Sequence, residues 1–248
     1  MVARDITIGL VVPFATDEVP FEGPIMYPGV RFIPRGVGVR ALTPEGYEAA
    51  WNGILPAAEY LAQQGVDAIM VIGTSLTFYR GPEAHAQLLK DLRERAGLPV
   101  STMSQALIDG LREMGAKRVA VATAYTDVVN RKLKELLEAA GVEVLSLECF
   151  NLLEFNAPHK MTEAEIISLS DTAVAKANAA KAAGAEAILI SCGGLRTLGV
   201  AEPLEANHGI PVVSSATAAF WAAMRLVGES GHVDGYGRLF EQSREPAH

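Results

Sequence analysis

Only two of the 248 residues are cysteine, Cys149 and Cys192. Two thiols build neither a disulfide framework nor a four-thiolate zinc site, so the chain reads as reduced and intracellular. Positive charge is scarce as well: 21 Lys and Arg against 29 Asp and Glu leave a net charge of −8. Phosphate backbones select basic surfaces, so neither nucleic acid nor an anionic membrane is expected as a partner. No apolar run reaches the roughly 18 residues of a membrane span. Met1-Val-Ala-Arg-Asp5 leads into a strand-like run without the apolar stretch of a signal peptide. The five histidines (His85, His159, His208, His232, His248) show no metal-ligand spacing. HExxH, the lysine-bearing phosphate loop and the GxSxG elbow are all missing. Gly36-Val-Gly-Val-Arg40 lacks the third glycine of a dinucleotide fingerprint and follows what reads as a loop. What remains is a soluble, cytoplasmic protein with no metal or organic cofactor expected and a small molecule as its partner.

Apolar residues are plentiful, at 50% of the chain. Short β-branched runs predict strands at 6–12, 68–72, 119–123, 142–147, 187–191 and 211–214. Between them, apolar residues at three- and four-residue spacing predict helices at 47–64, 83–96, 103–114, 128–140, 163–183 and 216–227. Gly65, Gly97, Gly115, Gly141 and Gly184 stand where helices end in a left-handed residue. Continuous apolar strands alternating with helices mean parallel sheets covered on both faces, an α/β fold.

The chain also repeats itself. Gly65-Val-Asp-Ala-Ile-Met-Val-Ile-Gly-Thr-Ser-Leu76 aligns with Gly184-Ala-Glu-Ala-Ile-Leu-Ile-Ser-Cys-Gly-Gly-Leu195. Gly97-Leu-Pro-Val-Ser101 aligns with Gly209-Ile-Pro-Val-Val213, and Gly9-Leu-Val-Val-Pro-Phe14 with Ala120-Val-Ala-Thr-Ala-Tyr125. Any parallel α/β chain repeats helix-glycine-strand units, but the common order of all three pairs favours two related halves. Ligands of such sheets bind beyond the carboxyl ends of the strands. Two facing halves would therefore enclose one cleft, with Gly73 opposite Cys192 across a pseudo-two-fold axis.

Cys192 is the residue of most chemical interest. It follows a buried strand and precedes Gly193-Gly194, at the expected start of a helix whose N-terminus would tune the thiol. The two glycines let a ligand approach the backbone. A free cysteine also serves as a small core residue, which is the reading for Cys149, in a stretch without flanking glycines. Thr74 and Ser75 follow Gly73 in a strand-to-helix turn, where hydroxyls and free N–H groups bind anions or cap the helix. Tyr125, at a strand end, adds a phenolic donor or packs. Arg80 and Arg196 follow strand-end loops and read as solvated surface residues.

Gly73-Thr-Ser-Leu-Thr-Phe-Tyr-Arg-Gly81, Ser191-Cys-Gly-Gly-Leu195, Ala122-Thr-Ala-Tyr125 and Gly235-Tyr-Gly-Arg-Leu-Phe240 together resemble the arylmalonate decarboxylases. Thr43-Pro-Glu-Gly-Tyr47 and Pro211-Val-Val-Ser-Ser215 extend the likeness through most of the chain. That family lies in the aspartate/glutamate/hydantoin racemase superfamily, beside the maleate cis–trans isomerases. The resemblance implies two flavodoxin-like domains with four-stranded parallel sheets, one spanning 1–108 plus 217–248 and the other 109–216. It also implies cofactor-independent loss of carbon dioxide from an α-aryl or α-alkenyl malonate, giving a chiral acid. The enediolate would lie in a dioxyanion hole of Thr74, Ser75 and Tyr125 with backbone at Gly73, Gly193 and Gly194. Pro13, Phe14, Val39, Leu42, Leu76 and Phe155 would form the apolar pocket, and Cys192 would protonate the carbanion. Phe14 stands where a second proline is usual, and the segment 150–160 departs from the pattern. A racemase or isomerase needs a second acid or nucleophile opposite Cys192, where this chain has Gly73. A carboxylate-binding protein without catalysis is the other alternative.

Overall fold

The computed structural model describes residues 5–242. Residues 1–4, His248 and the outer limits of the first expected domain lie outside them. Strands β1 (Thr7–Val12), β2 (Arg31–Gly36), β3 (Ala68–Val71) and β4 (Val100–Thr102) pair in the parallel order β2-β1-β3-β4. Strands β5 (Arg118–Thr123), β6 (Glu143–Cys149), β7 (Ala187–Ser191) and β8 (Val212–Ser214) repeat that order as β6-β5-β7-β8, again all parallel. The three sequence repeats thus pair β1 with β5, β3 with β7 and β4 with β8. The fold is α/β, two similar flavodoxin-like halves.

The central strands are buried along almost their whole length, as unbroken apolar runs require when helices cover both faces. The edge strand β2 is a correction to the sequence reading, which placed a loop before Gly36. Its Arg31, Pro34 and Arg35 interrupt any apolar pattern. Proline is tolerated at an edge, where no second neighbour needs its missing N–H.

Helices α1 (Glu22–Met26), α2 (Pro44–Gln63), α3 (Thr74–Phe78), α4 (Pro82–Ala96) and α5 (Met103–Glu113) belong to the first repeat and its exit. Helices α6 (Asp127–Ala139), α7 (Glu163–Ala180), α8 (Ala201–His208), α9 (Ser215–Leu226) and α10 (Arg238–Gln242) follow. Thr43 caps α2 by accepting the Gly46 N–H at 3.3 Å, and Thr102 caps α5 by accepting that of Gln105 at 3.0 Å. All five glycines expected at helix ends have positive φ. Helices α5 and α9 leave the last strand of each sheet and pack on one another, and α9 also reaches back to β3 and β4. The carboxyl ends of both sheets face each other across this junction.

Candidate active site

The loops beyond β1, β2, β3, β6 and β7 enclose one cleft of about 720 Å³, mouth included. Gly73, Thr74, Ser75, Cys192, Gly193 and Gly194 line it, as do Pro13, Phe14, Val39, Leu42, Leu76 and Phe155. The loops after the edge strands meet over it, with the Leu42 N–H donating to the Leu153 carbonyl at 3.0 Å. Phe14 meets Phe155 edge-on, ring centroids 6.2 Å apart. The two aromatic side chains narrow the apolar wall where a smaller residue would leave it open.

Gly73 lies two residues beyond β3 and Cys192 one beyond β7, the third strand of each sheet. Both have backbone φ on the positive side, +110° and +149°. That conformation suits glycine and strains an L side chain, so the cysteine is held there by its surroundings. No helix begins at Cys192, contrary to the sequence reading: Gly193-Gly194 is a poor helix start, and α8 begins only at Ala201. The chain turns instead, the Leu195 N–H donating to the Cys192 carbonyl at 3.1 Å. Burial pushes the Cys192 thiol up to about 11, against the N–H groups of Gly194 and Leu195 and the Tyr125 hydroxyl, which pull it down. The sulfur therefore carries its proton at neutral pH.

A buried chain of hydroxyls ties the two loops together. Thr74 Oγ1 donates to Ser215 Oγ at 2.9 Å, and the Cys192 N–H donates to the same oxygen at 3.3 Å. Ser104 Oγ donates to the Thr74 carbonyl at 2.8 Å and lies 2.6 Å from Thr77 Oγ1. Tyr125 is wholly buried behind the wall rather than on it, with its hydroxyl 3.3 Å from Ser191 Oγ. Tyr47 is the aromatic hydroxyl that lines the cleft, and its Oη has no hydrogen-bond partner among the described residues. Burial raises its pKa, and the nearby Ser75 hydroxyl opposes the rise.

Cys149 is half-buried at the end of β6, apart from the cleft lining. Arg80 pairs with Glu48 and stacks on Trp51, its guanidinium carbon 4.5 Å from the ring centroid. Arg196 is exposed beside Phe21. No cluster of three His, Cys, Asp or Glu suited to a metal occurs among the described residues, nor any helix long and apolar enough to cross a membrane.

Ser215, Tyr47, Glu22, Met103 and His159 were not singled out by the sequence. The repeat held a clue to two of them. At the offset that aligns β4 with β8, Met103 stands opposite Ser215, each one residue beyond a strand.

The sequence model of the arylmalonate decarboxylase family matches residues 8–240. The chain is 41% identical to the arylmalonate decarboxylase of Bordetella bronchiseptica over 238 residues, 96% of this chain and 97% of that one. A maleate isomerase of Nocardia farcinica is 27% identical over 247 residues, 95% of each. Among solved structures, an arylmalonate decarboxylase variant with glycine replaced by cysteine and cysteine by serine, in liganded form, superposes with a TM-score of 0.91. It is 39% identical to this chain, covering 96% of it and 99% of the variant. A match that spans almost the whole length, in sequence and in fold, places this chain in the arylmalonate decarboxylase family.

Proposed function

We propose that the chain decarboxylates a malonate bearing an α-aryl or α-alkenyl group, without metal or organic cofactor, and releases a chiral monoacid. The observation that carries this reading is one protonated thiol, Cys192, opposite a glycine, Gly73, in a cleft with hydroxyls on one wall and apolar side chains on the other. The retained carboxylate lies against Thr74, Ser75 and backbone N–H groups near Gly73, Gly193 and Gly194. Tyr125 backs them through its contacts with Thr74 and Cys192. The leaving carboxylate faces Pro13, Phe14, Val39, Leu42, Leu76 and Phe155, where it is poorly solvated. Its bond to the α-carbon breaks, carbon dioxide departs, and the electron pair spreads into an enediolate. Each hydrogen-bond donor that meets the developing charge contributes roughly 3 kcal/mol to the transition state. Cys192 Sγ then gives its proton to the α-carbon, and the thiolate regains one from solvent, so one proton is consumed per carbon dioxide released.

Ser215 holds Thr74 and Cys192 in register and acts as a positioning residue. The two working units run from 1 to 108 with 217–248, and from 109 to 216. All strands of one sheet precede residue 103, all of the other lie within 118–214, and α9 returns to the first sheet. Both units serve a small dicarboxylate in the cytoplasm.

Incubation with phenylmalonate and with maleate tests the reaction type. Release of carbon dioxide from phenylmalonate, with no fumarate formed from maleate, is the expected result. Fumarate without carbon dioxide would make the chain an isomerase.

A further inference from the structure

One carboxyl in the cleft has no part in the reaction proposed above. Glu22 lines it from α1 and is only 3% exposed. The neighbouring Gly23 explains how it comes so close, since a Cβ there would stand 2.4 Å from Phe220 Cε1. Only glycine lets α1 lie this tightly on α9. Among the described residues the carboxylate accepts its own backbone N–H and has no ion-pair partner. Arg196 is the charged side chain that acts on it from outside α1, and Tyr47, His159 and Cys192 are the other titratable side chains of the lining. Arg196, exposed on the turn after Cys192, attracts it weakly, and His159 lies on the lining beside Gly194. Burial and Arg196 both lower the His159 pKa. A carboxyl among Pro20, Phe21 and Phe220 is costly to bury unless something meets it.

We infer that Glu22 forms a subsite for a hydrogen-bond-donating group on the substrate's α-substituent, so that preferred malonates carry a hydroxyl, amine or amide N–H there. This rests on the decarboxylase reading and narrows its substrate class. The substrate's own carboxylates do not fill the role: the retained one is placed on the hydroxyls and N–H groups of the opposite loops, the leaving one against the apolar wall, and the Glu22 carboxylate repels both. A bare hydrocarbon ring would leave the carboxyl unmet, so the complementary group is a donor. Burial raises the Glu22 pKa to about 7. Its carboxylate form, the stronger acceptor, therefore grows as pH rises from 6 to 8.

Phenylmalonate and a hydroxyphenylmalonate should be compared in the wild type, Glu22→Gln and Glu22→Leu at pH 6 and 8. Calorimetric binding of phenylacetate and hydroxyphenylacetate to the same proteins accompanies the kinetics. The wild type should favour the hydroxylated substrate in kcat/KM by about tenfold or more, as a hydrogen bond to a carboxylate allows. That preference should grow toward pH 8. Glu22→Gln, equal in size, should keep a smaller preference that no longer changes with pH, and Glu22→Leu should lose it. The same preference in Glu22→Leu, or none in the wild type, would overturn the inference. An equal fall in kcat on both substrates with unchanged affinities would also overturn it, making Glu22 a proton-handling group. If neither malonate reacts but hydroxyphenylacetate binds more tightly in a Glu22-dependent way, the decarboxylase reading falls and the subsite stands.

Discussion

Cys192 keeps its proton because desolvation outweighs the hydrogen bonds that favour a thiolate, which lifts its pKa to about 11. A nucleophilic cysteine needs the opposite balance. A general acid needs the proton in place when the carbanion forms. Cys192→Ala should therefore lower kcat by at least about a hundredfold while leaving the fold and product binding intact. Cys149→Ala, apart from the cleft, should turn over as the wild type does. In that Cys149→Ala background, alkylation of Cys192 by iodoacetamide should quicken about tenfold per pH unit from 7 to 9. A rate already level at pH 8 would show a thiolate and remove the acid from the mechanism.

Hydroxyl groups set the geometry between elements. Ser215, at the start of α9, accepts from Thr74 at the head of α3 and from the Cys192 N–H beyond β7. Ser215→Ala leaves both donors without that partner. It should lower kcat about tenfold with KM little changed, since the interaction matters where charge develops. Ser215→Thr, which keeps the oxygen, should recover part of the loss. A change in KM alone would reduce Ser215 to a scaffold for substrate binding.

Another buried contact joins α4 to the α5 cap, where His85 Nε2 lies 2.8 Å from Thr102 Oγ1. Burial lowers the His85 pKa from 6.5 to about 4. Between these values the unfolded chain binds a proton that the folded chain does not, so His85 lowers stability as pH falls through that window. The urea midpoint of His85→Gln should therefore drop less than that of the wild type between pH 7 and 4.5. Equal drops would contradict the assignment.

Such contacts explain what the sequence did and did not disclose about the elements. The strands β1, β3, β5 and β7 were legible because burial on both faces demands unbroken apolar runs. Strand β2 was hidden by two arginines and a proline at a sheet edge. Helix α1 was hidden because Gly23 and Pro24 leave no periodicity in its five residues. The hydroxyl of Ser215 and the carboxyl of Glu22 meet the cleft only through packing between distant segments. No local pattern reports that.

At the scale of the whole molecule, the two sheets share strand order and direction, and their third strands lead into Gly73 and Cys192. In the proposed mechanism, a planar enediolate between those two loops would present one face to each. Only one face meets a thiol in this chain, which is the proposed origin of a single-handed product. A side chain at Gly73 would make ordinary contacts, its Cβ 3.4 Å from Leu76 Cβ and 3.6 Å from Pro13 Cβ. The cost is backbone strain at φ +110°, of the kind Cys192 already bears at +149°. A solved relative carrying a glycine-to-cysteine and a cysteine-to-serine exchange shows that this fold accepts such a pair.

The most direct measurement is chiral chromatography of the acid formed from a prochiral arylmalonate by wild type and by Gly73→Cys/Cys192→Ser. An acid protonates the face it reaches within hydrogen-bond distance, about 3 Å. The doubly substituted enzyme should work more slowly and yield predominantly the opposite enantiomer. Unchanged handedness from an active, correctly folded variant would contradict a site in which Gly73 and Cys192 address opposite faces of one intermediate.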